Sequence, residues 1–260
     1  MIRLRTYFLL FVLTLAGTTV VAQKAKHTFR LSPTDFLLDD EPFQIISGEL
    51  HPSRIPPEYW QHRIRMAKAM GCNTISVYIF WNYHESEEGI FDFSTGNRNL
   101  AEFIKTVQKE KMWLIIRPGP YVCAEWELGG IPPYLLRIPD IRLRCMDPRY
   151  MAAAERYITR LADEIRPFLI TRGGPVIMLQ IENEYGSYAN DRNYMQRLKD
   201  VWLASGIDIP TFTGDGPTTH MLEAGSLPGS AVGLDPGSSA ADFELAAKMN
   251  PGVPVFSSET

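Results

Sequence analysis

The sequence predicts an α/β fold, a parallel (β/α)8 barrel of the TIM type cut short after its seventh strand, and three observations predict it. Short apolar, β-rich runs alternate with helical stretches of ten or more residues along the 260-residue chain, and repeated strand–helix–strand alternation implies a parallel sheet. Each apolar run is followed at its C-terminal end by polar side chains, the face where a barrel gathers a site from many strands. No Gly-x-Gly-x-x-Gly fingerprint follows the first run, as an open dinucleotide-binding sheet would carry.

The elements follow in order. Residues 1–22 read as a secretory signal peptide: Arg3 and Arg5 precede the apolar run Tyr7–Ala16, and Val20 and Ala22 are small residues before a cut at Gln23. The run is short for a full membrane span and no later segment is longer, so the reading is export, periplasmic or extracellular, with no stable span after cleavage. Residues 23–42 are a lead-in, and 43–260 form the barrel domain. Expected strands are Phe43–Ser47, Thr74–Phe80, Trp113–Arg117, Val176–Ile181, Thr211–Thr213, Ala231–Leu234 and Val255–Ser258. Expected helices are Tyr59–Met70, Leu100–Lys109, Tyr150–Phe168 and Asn193–Ala204. In the third of these, Tyr157, Leu161, Ile165 and Phe168 recur at helical spacing on one face. Asp147 and Pro148 supply its N-cap and first position, and Pro167 marks its stop.

Composition bounds the chemistry. The chain is 45% hydrophobic and 22% charged with net charge -4, ordinary for a globular domain. No basic stripe interleaved with aromatics is present, so nucleic acid is not an expected partner. The three cysteines Cys72, Cys123 and Cys145 have no zinc spacing and read as buried thiols. His51 and His84 fall near the expected mouth, but no His-x-His or His-Glu-x-x-His spacing supports a metal; no metal and no cofactor are expected.

Two carboxylates carry the functional signal. Gln180-Ile181-Glu182-Asn183-Glu184-Tyr185-Gly186 ends an apolar run in acids, and a buried carboxylate without a partner is costly. Strand alternation puts Gln180, Glu182 and Glu184 on one face, with Glu184 nearest the mouth; a buried polar network is the other reading, stronger for Glu182. Three strands later Phe256-Ser257-Ser258-Glu259 ends the same way. In a barrel these ends face each other across the mouth, the arrangement glycoside hydrolysis requires.

These and further motifs resemble glycoside hydrolase family 35, the β-galactosidases, from about Phe43 onward. The motifs are Ser47-Gly48-Glu49-Leu50-His51, Gly71-Cys72-Asn73-Thr74, Trp81-Asn82-Tyr83-His84-Glu85, Arg117-Pro118-Gly119-Pro120-Tyr121, Cys123-Ala124-Glu125-Trp126, Gly129-Gly130-Ile131-Pro132, Gly173-Gly174-Pro175, Gln180 to Gly186, and Ser258-Glu259. The resemblance implies a retaining exo-acting enzyme on terminal β-galactose of oligo- or polysaccharides, with Glu184 as general acid/base and Glu259 as nucleophile. It also implies substrate contacts from Tyr78, the turn Cys123, Ala124 and Glu125, and Asn183. Taken residue by residue, Glu125 has a second reading as a salt bridge to Arg117, and Tyr78 as barrel core. Pro52 stands where members often carry an aromatic, and no cysteine after Cys145 is present to pair with Cys123 as in some animal members. Rival functions are a related exo-glycosidase such as a β-glucosaminidase, and a non-catalytic carbohydrate-binding protein. The chain stops one residue past Glu259. A barrel closes on an eighth strand, so these 260 residues alone are expected to be poorly soluble or loosely folded and nearly inactive.

Overall fold

The computed structural model describes residues 27–259; the signal-peptide reading of residues 1–22 lies outside them. Ten strands and eight α-helices follow in order: β1 (Phe29–Leu31), β2 (Phe36–Leu38), β3 (Glu41–Pro42), β4 (Ser47–Glu49), α1 (Pro57–Ala69), β5 (Thr74–Tyr78), α2 (Trp81–His84), α3 (Leu100–Lys109), β6 (Trp113–Arg117), α4 (Pro148–Ile165), β7 (Val176–Gln180), α5 (Tyr185–Tyr188), α6 (Arg192–Ala204), β8 (Thr211–Asp215), α7 (Thr219–Gly225), β9 (Ala231–Leu234), α8 (Ala240–Met249) and β10 (Val255–Ser257). Strands β4 to β10 form one seven-stranded sheet in sequence order, every neighbouring pair parallel. This is the curled sheet of a (β/α)8 barrel with seven strands in place.

Helix α4 shows why these residues form these elements. Asp147 caps it by accepting the Arg149 N–H, and Pro148 sits at its first turn, where the missing N–H costs nothing. Tyr157, Leu161 and Ile165 are wholly buried, and the last turn tightens into a 3-10 turn at Arg166–Phe168. Strands β5, β7, β8 and β9 are buried along their whole length, as parallel strands covered on both faces must be.

The first barrel strand differs from expectation. It pairs over Ser47–Glu49, not Phe43–Ser47. The cause is Asn73, whose side chain accepts the Ile46 N–H and donates to the Gln44 carbonyl, so residues 44–46 are strapped by a side chain before the ladder begins. The lead-in holds β1 to β3, an antiparallel sheet of three short strands. It packs beneath the barrel's N-terminal face: His27 meets Trp113, the first residue of β6, and Phe36 meets Phe256 of β10 edge-on at 5.3 Å.

Among the described residues β4 pairs only with β5, and β10 only with β9. The two edges flank a cleft of about 840 Å³ walled by Phe36, Phe43, Glu49, Phe256 and Glu259. No helix among the described residues is long and apolar enough to cross a membrane.

Candidate active site

Arg117, the last residue of β6, organises the C-terminal mouth. Its side chain is only 1% exposed, and a buried guanidinium needs partners for its donors. Nε donates to Gln180, Nη1 to Glu49 Oε2 at 3.0 Å, and Nη2 to both Asn183 Oδ1 and Glu259 Oε1. The Tyr78 ring lies against the guanidinium carbon, 4.1 Å from its centroid. Two glycines leave room for its neighbours Gln180 and Ser258. A Cβ at Gly214 would sit 2.9 Å from Gln180 Nε2, and one at Gly233 would sit 2.7 Å from Ser258 Cβ.

Glu259 follows β10 and receives two donors on one oxygen, Arg117 Nη2 and the Tyr78 hydroxyl. Burial pushes the Tyr78 phenol far above its usual range, and Glu259 adds to this, so the hydroxyl stays protonated and donates. Across the arginine, burial raises the Glu49 carboxyl, but a hydrogen bond from His51 and the charge of Arg117 outweigh it, leaving Glu49 below the ordinary range.

Glu184 sits just past β7. Strand alternation does not extend beyond Gln180, because Glu182 (φ 59°) and Glu184 (φ 47°) are both left-handed. Glu182, Asn183 and Glu184 therefore diverge. Glu182 turns into a buried network with Arg144 and Tyr194, so the polar-network reading describes its surroundings. Asn183 turns inward, and its Oδ1 accepts from Gln180, Arg117 and Tyr78 at 2.9–3.3 Å. That fixes the amide and aims Nδ2 at Glu184 Oε2, 3.4 Å away. The Glu184 carboxyl is half-buried; burial first, then the charge of Glu259, holds its pKa above 4.5.

Cys123, Ala124 and Glu125 are three consecutive left-handed residues (φ 57°, 51° and 45°). Such backbone costs about 1–3 kcal/mol per residue and persists only where the surroundings impose it. Here Arg54 Nη2 reaches the Ala124 and Glu125 carbonyls while its guanidinium lies against Phe80 and Trp126, which stack at 4.1 Å. Glu125 is exposed and makes no ion pair with Arg117, whose carboxylate partners are Glu49 and Glu259. Tyr78 is buried, as core would be, yet spends its hydroxyl on the site.

The structure thus joins Tyr78, Asn183, Glu184 and Glu259 in one hydrogen-bonded constellation, with the Cys123–Glu125 turn at the same mouth. Sequence reasoning missed the central role of Arg117 and the part played by Arg144, and it placed two further acids at strand ends without giving them a role. Asp235, after β9, is raised to about 7 by burial, then by Glu259 and Glu184. Asp215, at the end of β8, is raised to about 8 chiefly by burial. The signal for both acids, and for Arg117, was their position at a strand end; Arg144 had none.

The pattern of glycosyl hydrolases family 35 matches residues 35–260. The chain is 43% identical over 230 residues to a β-galactosidase of Xanthomonas manihotis, covering 87% of this chain and 38% of that protein. It is 44% identical over 231 residues to the β-galactosidase-1-like protein of Mus musculus, covering 86% and 35%. The chain therefore spans well under half the length of these curated relatives. Among solved structures, the exo-β-1,4-mannosidase Op5Man5 of an Opitutaceae bacterium, 15% identical, superposes with a TM-score of 0.62 over 83% of this chain and 45% of that one, a likeness of fold. The motif density, the barrel and these matches agree: the chain belongs to glycosyl hydrolases family 35.

Proposed function

We propose that the protein is a retaining, exo-acting β-galactosidase with Glu259 as nucleophile and Glu184 as general acid/base. The observation that carries this reading is the pair itself. Glu259 is oriented through one oxygen by Arg117 and Tyr78, and Glu184 is held toward its protonated form by burial and by the charge of Glu259. Glu259 attacks the anomeric carbon while Glu184 gives its proton to the leaving oxygen. Once Glu259 is esterified its charge is gone, Glu184 becomes more acidic, and it takes a proton from the attacking water. Substrate contacts are proposed for Tyr78, for the Cys123-Ala124-Glu125 turn and for Asn183, whose amide Nδ2 borders Glu184. The choice of galactose rests on the curated relatives, which carry the name β-galactosidase. We also propose export, on the strength of the Arg3/Arg5, apolar run and small-residue pattern in residues 1–22.

The test is hydrolysis of a panel of nitrophenyl glycosides by the full-length protein, with proton NMR of the first product. Turnover of the β-galactoside above all others, releasing the β-anomer first, is expected. Preference for another glycoside would overturn the substrate; an α-anomer released first would overturn retention, and would fit a carboxyl separation of about 6.5–9.5 Å rather than roughly 5–5.5 Å.

A further inference from the structure

The turn that carries Glu184 is held from outside the barrel by one loop arginine. Arg144 is buried and left-handed (φ 51°). Its Nε and Nη2 grip both oxygens of Glu182 at 2.8 and 2.7 Å, and Nη2 also donates to the Asn183 carbonyl at 2.7 Å. The Arg144 carbonyl in turn accepts the Tyr185 hydroxyl at 3.1 Å. The residues on either side of Glu184 are therefore both tied to Arg144. Glu182 completes the grip by accepting the Asn183 N–H on Oε2 at 2.7 Å, so the Asn183 residue is held at both its N–H and its carbonyl. Two left-handed residues one apart, Glu182 and Glu184, need such over-determination. The Arg144 guanidinium also lies over the Tyr121 ring at 3.8 Å, close to the Cys123–Glu125 turn. The proposed double displacement gives neither Arg144 nor Glu182 a role.

We propose that Arg144 and Glu182 are a pair of positioning residues that clamp the backbone immediately before Glu184 and so aim its carboxyl at the leaving-group oxygen. This rests on the acid/base reading of Glu184. Losing the clamp then resembles a mild loss of Glu184: proton transfer suffers while attack by Glu259 does not. A pair that merely supports the fold would slow all substrates alike.

The experiment compares Glu182→Gln, Arg144→Lys and Glu184→Ala with the unaltered full-length protein on aryl β-galactosides of graded leaving-group acidity, with and without azide. Lysine keeps the charge but cannot bind both carboxylate oxygens as a planar fork. For the clamp variants, kcat/KM on a dinitrophenyl galactoside should stay within a few-fold of the unaltered protein. On the poorest leaving groups it should fall by about 100-fold, the scale of a misplacement near 1 Å. Azide should raise kcat on the activated substrates. An equal loss across the series without an azide effect, or no loss at all, would overturn the proposal. If Arg144→Lys does not fold, Glu182→Gln, which keeps the side-chain shape, decides. If Glu184→Ala itself lacks the leaving-group dependence, the acid/base assignment fails and the clamp with it; if only the clamp variants lack it, the assignment stands and the clamp alone falls.

Discussion

Because two donors converge on one Glu259 oxygen, removing either should act on the proposed nucleophile without touching the proposed acid. Tyr78→Phe keeps the buried ring and loses the hydroxyl. We expect kcat/KM to fall roughly 100-fold, the order found for a single preorganised donor, with the thermal transition little changed. A loss concentrated on poor leaving groups would contradict that role. Glu259→Gln should abolish turnover, and azide should not help it. Glu184→Ala should slow poor leaving groups most and be rescued by azide on activated ones. The acid must be protonated to act, so the rate falls as pH rises through its pKa; with that value held above 4.5 by burial and Glu259, the basic limb of kcat/KM should lie above 4.5. A limb at or below it would count against Glu184. Both acids could be read from sequence because each ends an apolar run. Their orientation could not: Glu182 and Glu184 are left-handed without a glycine to announce it, so the period-two rule fails there. Arg144 lies in a loop with no periodicity, and only the fold brings it behind Glu184.

At the scale of elements, what sequence reveals depends on how much periodic apolar face an element buries. Helix α4 buries a long stripe and was legible to within two residues at its start. Helix α8 buries only Ala246 and was missed despite the Ser239–Asp242 capping box that begins it. Strands β1 to β3 are two or three residues long, too short for alternation to register. Asp215 ties β8 to α5 by accepting the Gly186 N–H at 2.7 Å. Burial raises its carboxyl from 3.8 to about 8, with Glu182 and Glu184 adding and the Gly186 bond opposing. The folded chain then holds a proton that the unfolded chain releases between these values, so this group's contribution to stability is present at low pH and is lost as pH rises from 3.8 to about 8. Asp215→Asn keeps an acceptor and has no charge to bury. It should match the parent near pH 4 and exceed it by on the order of a few kcal/mol near pH 8, measured by denaturant melts; a constant difference across that range would refute the assignment. Gly233→Ala tests the strand face. Its Cβ would press Ser258 at 2.7 Å, so we expect reduced kcat through displacement of Glu259.

At the scale of the whole molecule, β4 and β10 are the two edges of the seven-stranded sheet among the described residues. Unpaired backbone on two sheet edges templates further pairing, so a polypeptide of these 260 residues alone should self-associate, as seen by light scattering; a monodisperse solution with a sharp melting transition would refute this. Arg117 has a bearing on how activity fails. Glu49 stands on one lip and Glu259 on the other, and Arg117 joins them. Any shift of β6 against either strand end stretches a contact of this one buried guanidinium and so moves the Glu259 carboxyl. In rising urea, galactoside turnover by the full-length protein should therefore decline ahead of the far-ultraviolet circular dichroism signal, with galactose shifting the loss to higher denaturant. One buried guanidinium would then govern the Glu259 carboxyl, and loss of turnover would be the earliest report of strain on the site.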